Sequence, residues 1–151
     1  EASHRYEHSI EVQLPFLQYV LGSFKLVAVS MLDQNKKTSL EVAKALVELV
    51  KQKNVTVVSS SDLTHYEPAS AASQKDKELL SRVMALDVDQ LYNTISRRRI
   101  TACGYGPVAC SMVVAKEMGA LEGRLLKYAS SGDITGDRDA VVGYASVSFQ
   151  V

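Results

Sequence analysis

The sequence predicts an α/β fold, a mostly parallel or mixed central sheet with helices on its faces, and three observations carry that expectation. First, residues 24–32 and 54–60 are mostly continuous apolar runs, as expected of strands covered on both faces, since a half-buried strand alternates instead. Second, residues 39–51 between them place Leu40, Ala43, Leu46, Val47 and Val50 on one helical face, with Ser39 as a cap. Strand, helix and strand in that order make a right-handed parallel crossover the natural connection. Third, residues 124–130 and 140–149 read as further strands of the same sheet, the second alternating well enough to be an edge or an antiparallel strand.

The remaining elements follow from spacing. In residues 7–21, Ile10, Leu14, Leu17 and Leu21 form the stripe of an amphipathic helix that ends at Gly22. Pro15 lies inside that pattern and removes a backbone hydrogen bond, so a kink or break is expected between Glu11 and Leu14. Residues 70–85 read as a helix burying Leu79, Leu80, Val83 and Met84, and residues 87–95 as a shorter one started by Asp87. Arg97, Arg98 and Arg99 end it, where their charge complements the helix dipole without any ligand. Two glycines and Pro107 make residues 101–107 a tight turn, followed by a buried helix from Val108 to Met118 that Gly119 terminates.

Composition excludes several classes of function. With 151 residues, 46% of them hydrophobic, the chain can bury one sizeable core, as a single domain or as one lobe of a larger one. Lys plus Arg and Asp plus Glu number 17 each, so no net field gathers nucleic acid or an anionic membrane. No apolar stretch approaches the roughly 20 residues of a membrane span, and no signal-peptide pattern opens the chain. The expected protein is soluble and cytoplasmic. Cys103 and Cys110, in a turn and the helix after it, would sit about 10 Å apart along one face, too far for a disulfide. The chain opens in mid-pattern with Glu1 rather than Met, so further sequence is expected in front of it.

Two stretches carry chemistry. At residues 55–66 an apolar β-branched run gives way to Ser59, Ser60, Ser61, Asp62 and His65, at the carboxyl end of an expected strand where α/β proteins hold ligand-meeting groups. Asp62, three residues before His65, can fix the ring's tautomer, and imidazole is the side chain that changes charge near neutral pH. The plainer reading has Ser61 or Asp62 capping the following helix while His65 packs. In the second stretch Cys103 sits just outside a helix N-terminus, where backbone N–H groups and the dipole favour thiolate, the form that attacks carbon or binds a soft metal. Cys110, inside the helix, reads as a small apolar residue. Glu7 and Glu11 repel at a spacing of four unless a cation such as His8 or a metal lies between them. The acids of residues 131–139 do not follow calcium-loop spacing, and this glycine-rich connection is expected to meet the site, if at all, through Ser131.

Three stretches in this order, Glu7-His-Ser-Ile-Glu11 with Leu14-Pro15, Ser60-Ser-Asp-Leu-Thr-His65 and Cys103-Gly-Tyr-Gly-Pro107, together resemble the Memo family, the B component of the AmmeMemoRadiSam system. The resemblance covers essentially the whole chain and implies that it is the C-terminal part of a single Memo-like domain. It implies a fold like that of the class III extradiol dioxygenases, with radical SAM and AMMECR-like proteins as partners. It further implies an iron or copper site formed by two histidines of an N-terminal part and a cysteine matching Cys103, with His65 beside it. The dioxygenases use a glutamate where this cysteine stands, so ring cleavage does not carry over with the fold.

Three functions compete on these residues. In a metal-dependent oxidoreductase, Cys103 is the ligand, His65 the acid–base group, and Asp62 its orienting partner, with Glu7, His8, Glu11, Ser61 and Ser131 lining the pocket. One thiolate and one imidazole make a weak, open site, so this chain alone is expected to hold iron or copper weakly or not at all. In a metal-free enzyme Cys103 is the nucleophile and His65 its base. In a binding module the pocket holds a small molecule, a peptide or a partner protein.

Overall fold

A computed structural model describes residues 4–150, in two compact units that meet in sequence between Asp33 and Gln34. In the first, a 3-10 turn Glu11–Gln13 runs into helix α1, Leu14–Leu21. Pro15 falls in the first turn of α1, where the missing N–H has no helical partner to lose. The expected break between Glu11 and Leu14 is therefore the change from 3-10 to α geometry. Gly22 ends the helix at φ 68°, a conformation a side chain would resist. Ile10, Leu14 and Leu17 are the half-buried residues of the expected stripe, whereas Phe16, Tyr19 and Val20 face out.

The second unit holds every buried residue among those described. Helix α2, Lys36–Gln52, buries Ala43 and Val47 of the expected stripe and packs on the helix that follows the Cys103 turn. Its cap is Asn35, whose side chain accepts the Thr38 N–H at 2.9 Å, and not Ser39, which is buried one turn inside. Helix α3, Ala69–Met84, buries Leu79, Leu80 and Val83 as expected, and α4, Val88–Arg98, starts at Asp87, whose carboxylate accepts the Gln90 N–H. Arg97 and Arg98 pair with Glu78 of α3, so the basic run ties two helices together. Helix α5, Tyr105–Glu117, begins three residues earlier than expected, with Pro107 in its first turn. Leu63, Leu79, Leu80, Leu91, Ala109 and Met112 meet in one core, against which Leu125, Val147 and Phe149 of the sheet pack. Each fully buried leucine there contributes about 1.5–3 kcal/mol relative to exposure.

The sheet departs most from expectation. It has three strands among the described residues, β1 His65–Glu67, β2 Gly123–Ser130 and β3 Val141–Phe149, in the order β1-β3-β2, and both pairings are antiparallel. The architecture is mixed α and β, as expected, but the parallel crossover is not formed among the described residues. Residues 24–32 and 54–60 lie in no strand, and Val27, Leu32 and Val58 in them are exposed. Apolar patterning marks a segment that gains from cover, whereas a strand also needs a ladder partner, which patterning does not specify. The strand at residues 140–149 is antiparallel, as one expectation had it, but central rather than at an edge. β1 falls inside the segment expected to be loop. A short helical turn α6, Gly132–Thr135, joins β2 to β3.

Candidate metal centre

Asp62, His65 and Cys103 come together: one ligand atom from each lies within 4.8 Å of the other two, the one such group of three among the described residues. The thiol arrives from the turn before α5, and the carboxylate and ring arrive from the segment that leads into β1. What brings them together is a set of bonds between those two loops. Ser61 Oγ accepts the Gly104 N–H at 2.8 Å, and Cys103 Sγ accepts the Asp62 N–H at 3.4 Å. Position 104 must be glycine, because a Cβ there would overlap the Ser60 carbonyl oxygen and crowd Ser61. Gln34 clamps the same turn from behind, its amide nitrogen donating to the Cys103 carbonyl at 2.8 Å and its oxygen accepting the Gly106 N–H at 2.9 Å.

His65 is held by Thr101. The Thr101 hydroxyl accepts the His65 backbone N–H at 2.7 Å, and the Thr101 carbonyl lies 2.8 Å from ring Nδ1. A carbonyl can only accept, so Nδ1 carries the proton and Nε2 keeps its lone pair in the neutral ring. Asp62 faces that other nitrogen, with Oδ2 3.5 Å from Nε2. The ring thus stands between a backbone carbonyl, one of the outer-shell partners found at metal-binding histidines, and the Asp62 carboxylate. After His65 the backbone turns sharply, with Tyr66 at φ 57°, a left-handed conformation that costs a bulky side chain about 1–2 kcal/mol.

The electrostatics of the three groups follow. A carboxylate oxygen, the lone pair of ring Nε2 and a cysteine sulfur converge, a mixture of hard and soft donor atoms that suits a transition-metal cation. Backbone stabilisation of sulfur comes from Asp62 and not from the turn amides at Gly104 and Gly106, which Ser61 and Gln34 occupy. Burial, and then the charges of Asp62 and Tyr66, push the Tyr144 phenol above its ordinary range. Cys103 is exposed and His65 only 19% exposed, so the sulfur side of the cluster opens outward while the ring is anchored. Cys110 is buried, its thiol donates to the Ser39 carbonyl at 3.2 Å, and burial pushes its pKa up. An apolar cleft lined by Ser61, Leu63, Leu91, Ala102, Tyr105 and Val108 lies next to the cluster, though Asp62, His65 and Cys103 do not line it.

The other expected site residues have local partners. Ser131 Oγ accepts the Val142 N–H at 3.0 Å, and so joins the α6 turn to β3. In the first unit, His8 Nδ1 lies 2.9 Å from Glu11 Oε2 and His4 Nδ1 lies 3.7 Å from Glu7 Oε1, so a histidine stands beside each of the two acids. Glu7 accepts from Ser9 Oγ and the Ile10 N–H, and the latter bond most of all holds its carboxyl below the usual range. Thr101 and Gln34 carry much of the geometry and were not legible in the sequence. Thr101 acts largely through its carbonyl, which every residue has, and Gln34 reaches the turn only through tertiary folding.

The chain matches the family model for Memo-like protein over residues 1–148. It is 47% identical to a MEMO1 family protein of Methanopyrus kandleri, over 98% of this chain and 53% of that protein. A MEMO1 family protein of Thermoplasma volcanium is 49% identical over 97% of this chain and 54% of its own length. The chain spans about half the length of these relatives. No helix among the described residues is long and apolar enough to cross a membrane.

Proposed function

The chain belongs to the Memo family, and from that premise we propose that Asp62, His65 and Cys103 form this chain's share of a non-haem iron or copper centre of redox type. The fold of the whole protein is then related to that of the class III extradiol dioxygenases. One observation carries the reading: three electron-rich donors of different softness converge within 4.8 Å, and the free nitrogen of His65 is the one that faces Asp62. The donor set fits such a metal, since thiolate favours copper or thiolate-bound iron and imidazole accepts either. Cys103 is the ligand. His65 and Asp62 hold and pass a proton beside it, at Nε2 and Oδ2, and the Thr101 carbonyl keeps Nδ1 out of that exchange. A bound metal would supply a Lewis acid and a one-electron couple at this point. One thiolate with two flanking groups leaves the coordination open, and in longer family members an N-terminal part would add histidines. The radical SAM and AMMECR-like proteins are proposed partners of the whole assembly in a reducing cytoplasm.

Metal content decides this. Parent protein dialysed anaerobically against Fe(II) or Cu(I) is expected to hold metal weakly at equilibrium, to a degree that Cys103→Ser lowers at least tenfold, while His65→Gln keeps the fold. Equal metal content in Cys103→Ser and parent would remove Cys103 as a ligand and, with it, this reading.

A further inference from the structure

We infer that Asp76 is the positioning residue of this centre, a buried carboxylate on α3 that fixes the peptide on which His65 stands; the inference rests on the metal-site reading of His65 and Cys103. Asp76 has no exposed surface and is the one charged residue among the described residues that is buried. A lone carboxylate in a core is costly unless its oxygens are hydrogen-bonded, so its partners indicate what it is for. Oδ1 accepts the Thr64 backbone N–H at 2.9 Å, and Oδ2 accepts the Tyr128 hydroxyl at 2.8 Å. Gly143 of β3 makes room, for a Cβ there would overlap Oδ2.

Thr64 is the residue before His65, and it too is fully buried. Its hydroxyl has no hydrogen-bond partner, so its backbone holds it in place, through the N–H to Asp76 and through the carbonyl, which accepts the Gly143 N–H at 3.0 Å. The next N–H, that of His65, goes to the Thr101 hydroxyl, and the residue after that is the left-handed Tyr66. Consecutive amides at 64 and 65 are therefore tied to different elements, α3 on one side and the turn before α5 on the other, immediately ahead of a strained residue. Without Asp76 the Thr64 amide loses its acceptor in a place water does not reach. The segment can then relax the Tyr66 strain by rotating, and that would carry the ring away from Thr101 and Cys103. Asp76 bonds to Thr64 and Tyr128 rather than to any of the three site residues, and it acts on the site through Thr64.

The test separates positioning from general stability. In Asp76→Leu/Tyr128→Phe the carboxylate and the phenol that bonds to it are replaced together by apolar groups of the same branching, leaving Thr64 N–H as the orphan. Tyr128→Phe alone disturbs the same core but keeps the Thr64 bond. Two quantities are read on the full chain at one pH: the His65 Nδ1–H proton resonance of metal-free protein, and the dissociation constant for Co(II), followed by its thiolate absorption. The double variant should lose the resonance and bind Co(II) about 10-fold or more weaker, the scale on which outer-shell partners act, while Tyr128→Phe stays within about twofold. Retention of the parent resonance, or equal weakening in the two variants, overturns the inference. Should the parent fail to bind Co(II), the metal reading falls and the resonance alone decides the positioning. Should the double variant fail to fold, amide exchange in the parent decides: the Thr64 amide is expected to exchange as slowly as the core of α3, and exchange within minutes overturns the inference.

Discussion

At the scale of single residues, Tyr128 gives the clearest pH consequence. Burial first, and then its bond to the Asp76 carboxylate, raise the phenol's pKa far above its ordinary value of 10.0. A raised folded-state pKa means that the folded protein keeps a proton which the unfolded chain releases. The stabilisation is complete below about pH 10 and is lost as the pH rises from there through the folded value. Urea unfolding of parent and Tyr128→Phe between pH 8 and 11 is therefore expected to show a steeper alkaline loss in the parent, the two curves drawing together at the top of the range. Parallel curves would mean that the phenol is not linked to folding. This residue, like Asp76, could not have been singled out from the sequence, where each looks like any polar residue on an amphipathic element. Asp62, His65 and Cys103 were legible because their side chains are the chemistry, and because hydroxyl, carboxylate and imidazole crowded together after an apolar run are unusual.

Elements were legible in proportion to how local their causes are. Helices α3 and α4 follow from stripes and from a cap at Asp87 within the same dozen residues, so their expected and observed bounds nearly coincide. Ser39 was mistaken for a cap because a serine ahead of an apolar stripe looks the same whether the helix starts there or one turn earlier. Strands depend on partners far away in sequence, and β1 exists only because Val141 and Val142 come back to pair with it. The turn at residues 101–106 is the element on which the site depends, and Gly104 is its tightest point. Gly104→Ala would place a methyl group against the Ser60 carbonyl, which cannot move aside because it is backbone. A cost of about 1–3 kcal/mol is expected, as for other overpacked sites, together with loss of the Gly104 N–H bond to Ser61. Denaturant midpoints measure the first effect. The second should appear as faster reaction of Cys103 with a thiol reagent; a variant matching the parent in both would show that the loops have room to part.

At the scale of the whole molecule, cooperativity turns on where the buried residues lie. All of them fall between Ser39 and Gly143, within the unit that starts at Gln34. That unit contains helices α2 to α6 and all three strands, and one continuous core joins α3, α4 and α5 to β2 and β3. Its own hydrogen bonds also hold the candidate site: Thr101 to His65, Ser61 to Gly104, Gln34 to Cys103 and Asp76 to Thr64. A stretch of this length with a single core has what a small domain needs for a two-state transition, with a stability of roughly 5–10 kcal/mol in prospect. Residues 34–151 expressed alone are therefore expected to melt in one transition, with calorimetric and van't Hoff enthalpies in agreement. The Nδ1–H resonance of His65 should persist in that fragment, because both of the Thr101 contacts that fix the ring lie inside it. A broad melt without a heat-capacity peak would show that the core of this unit is not sufficient on its own. A sharp melt without the resonance would show instead that the fold forms while the ring is held by something beyond Thr101.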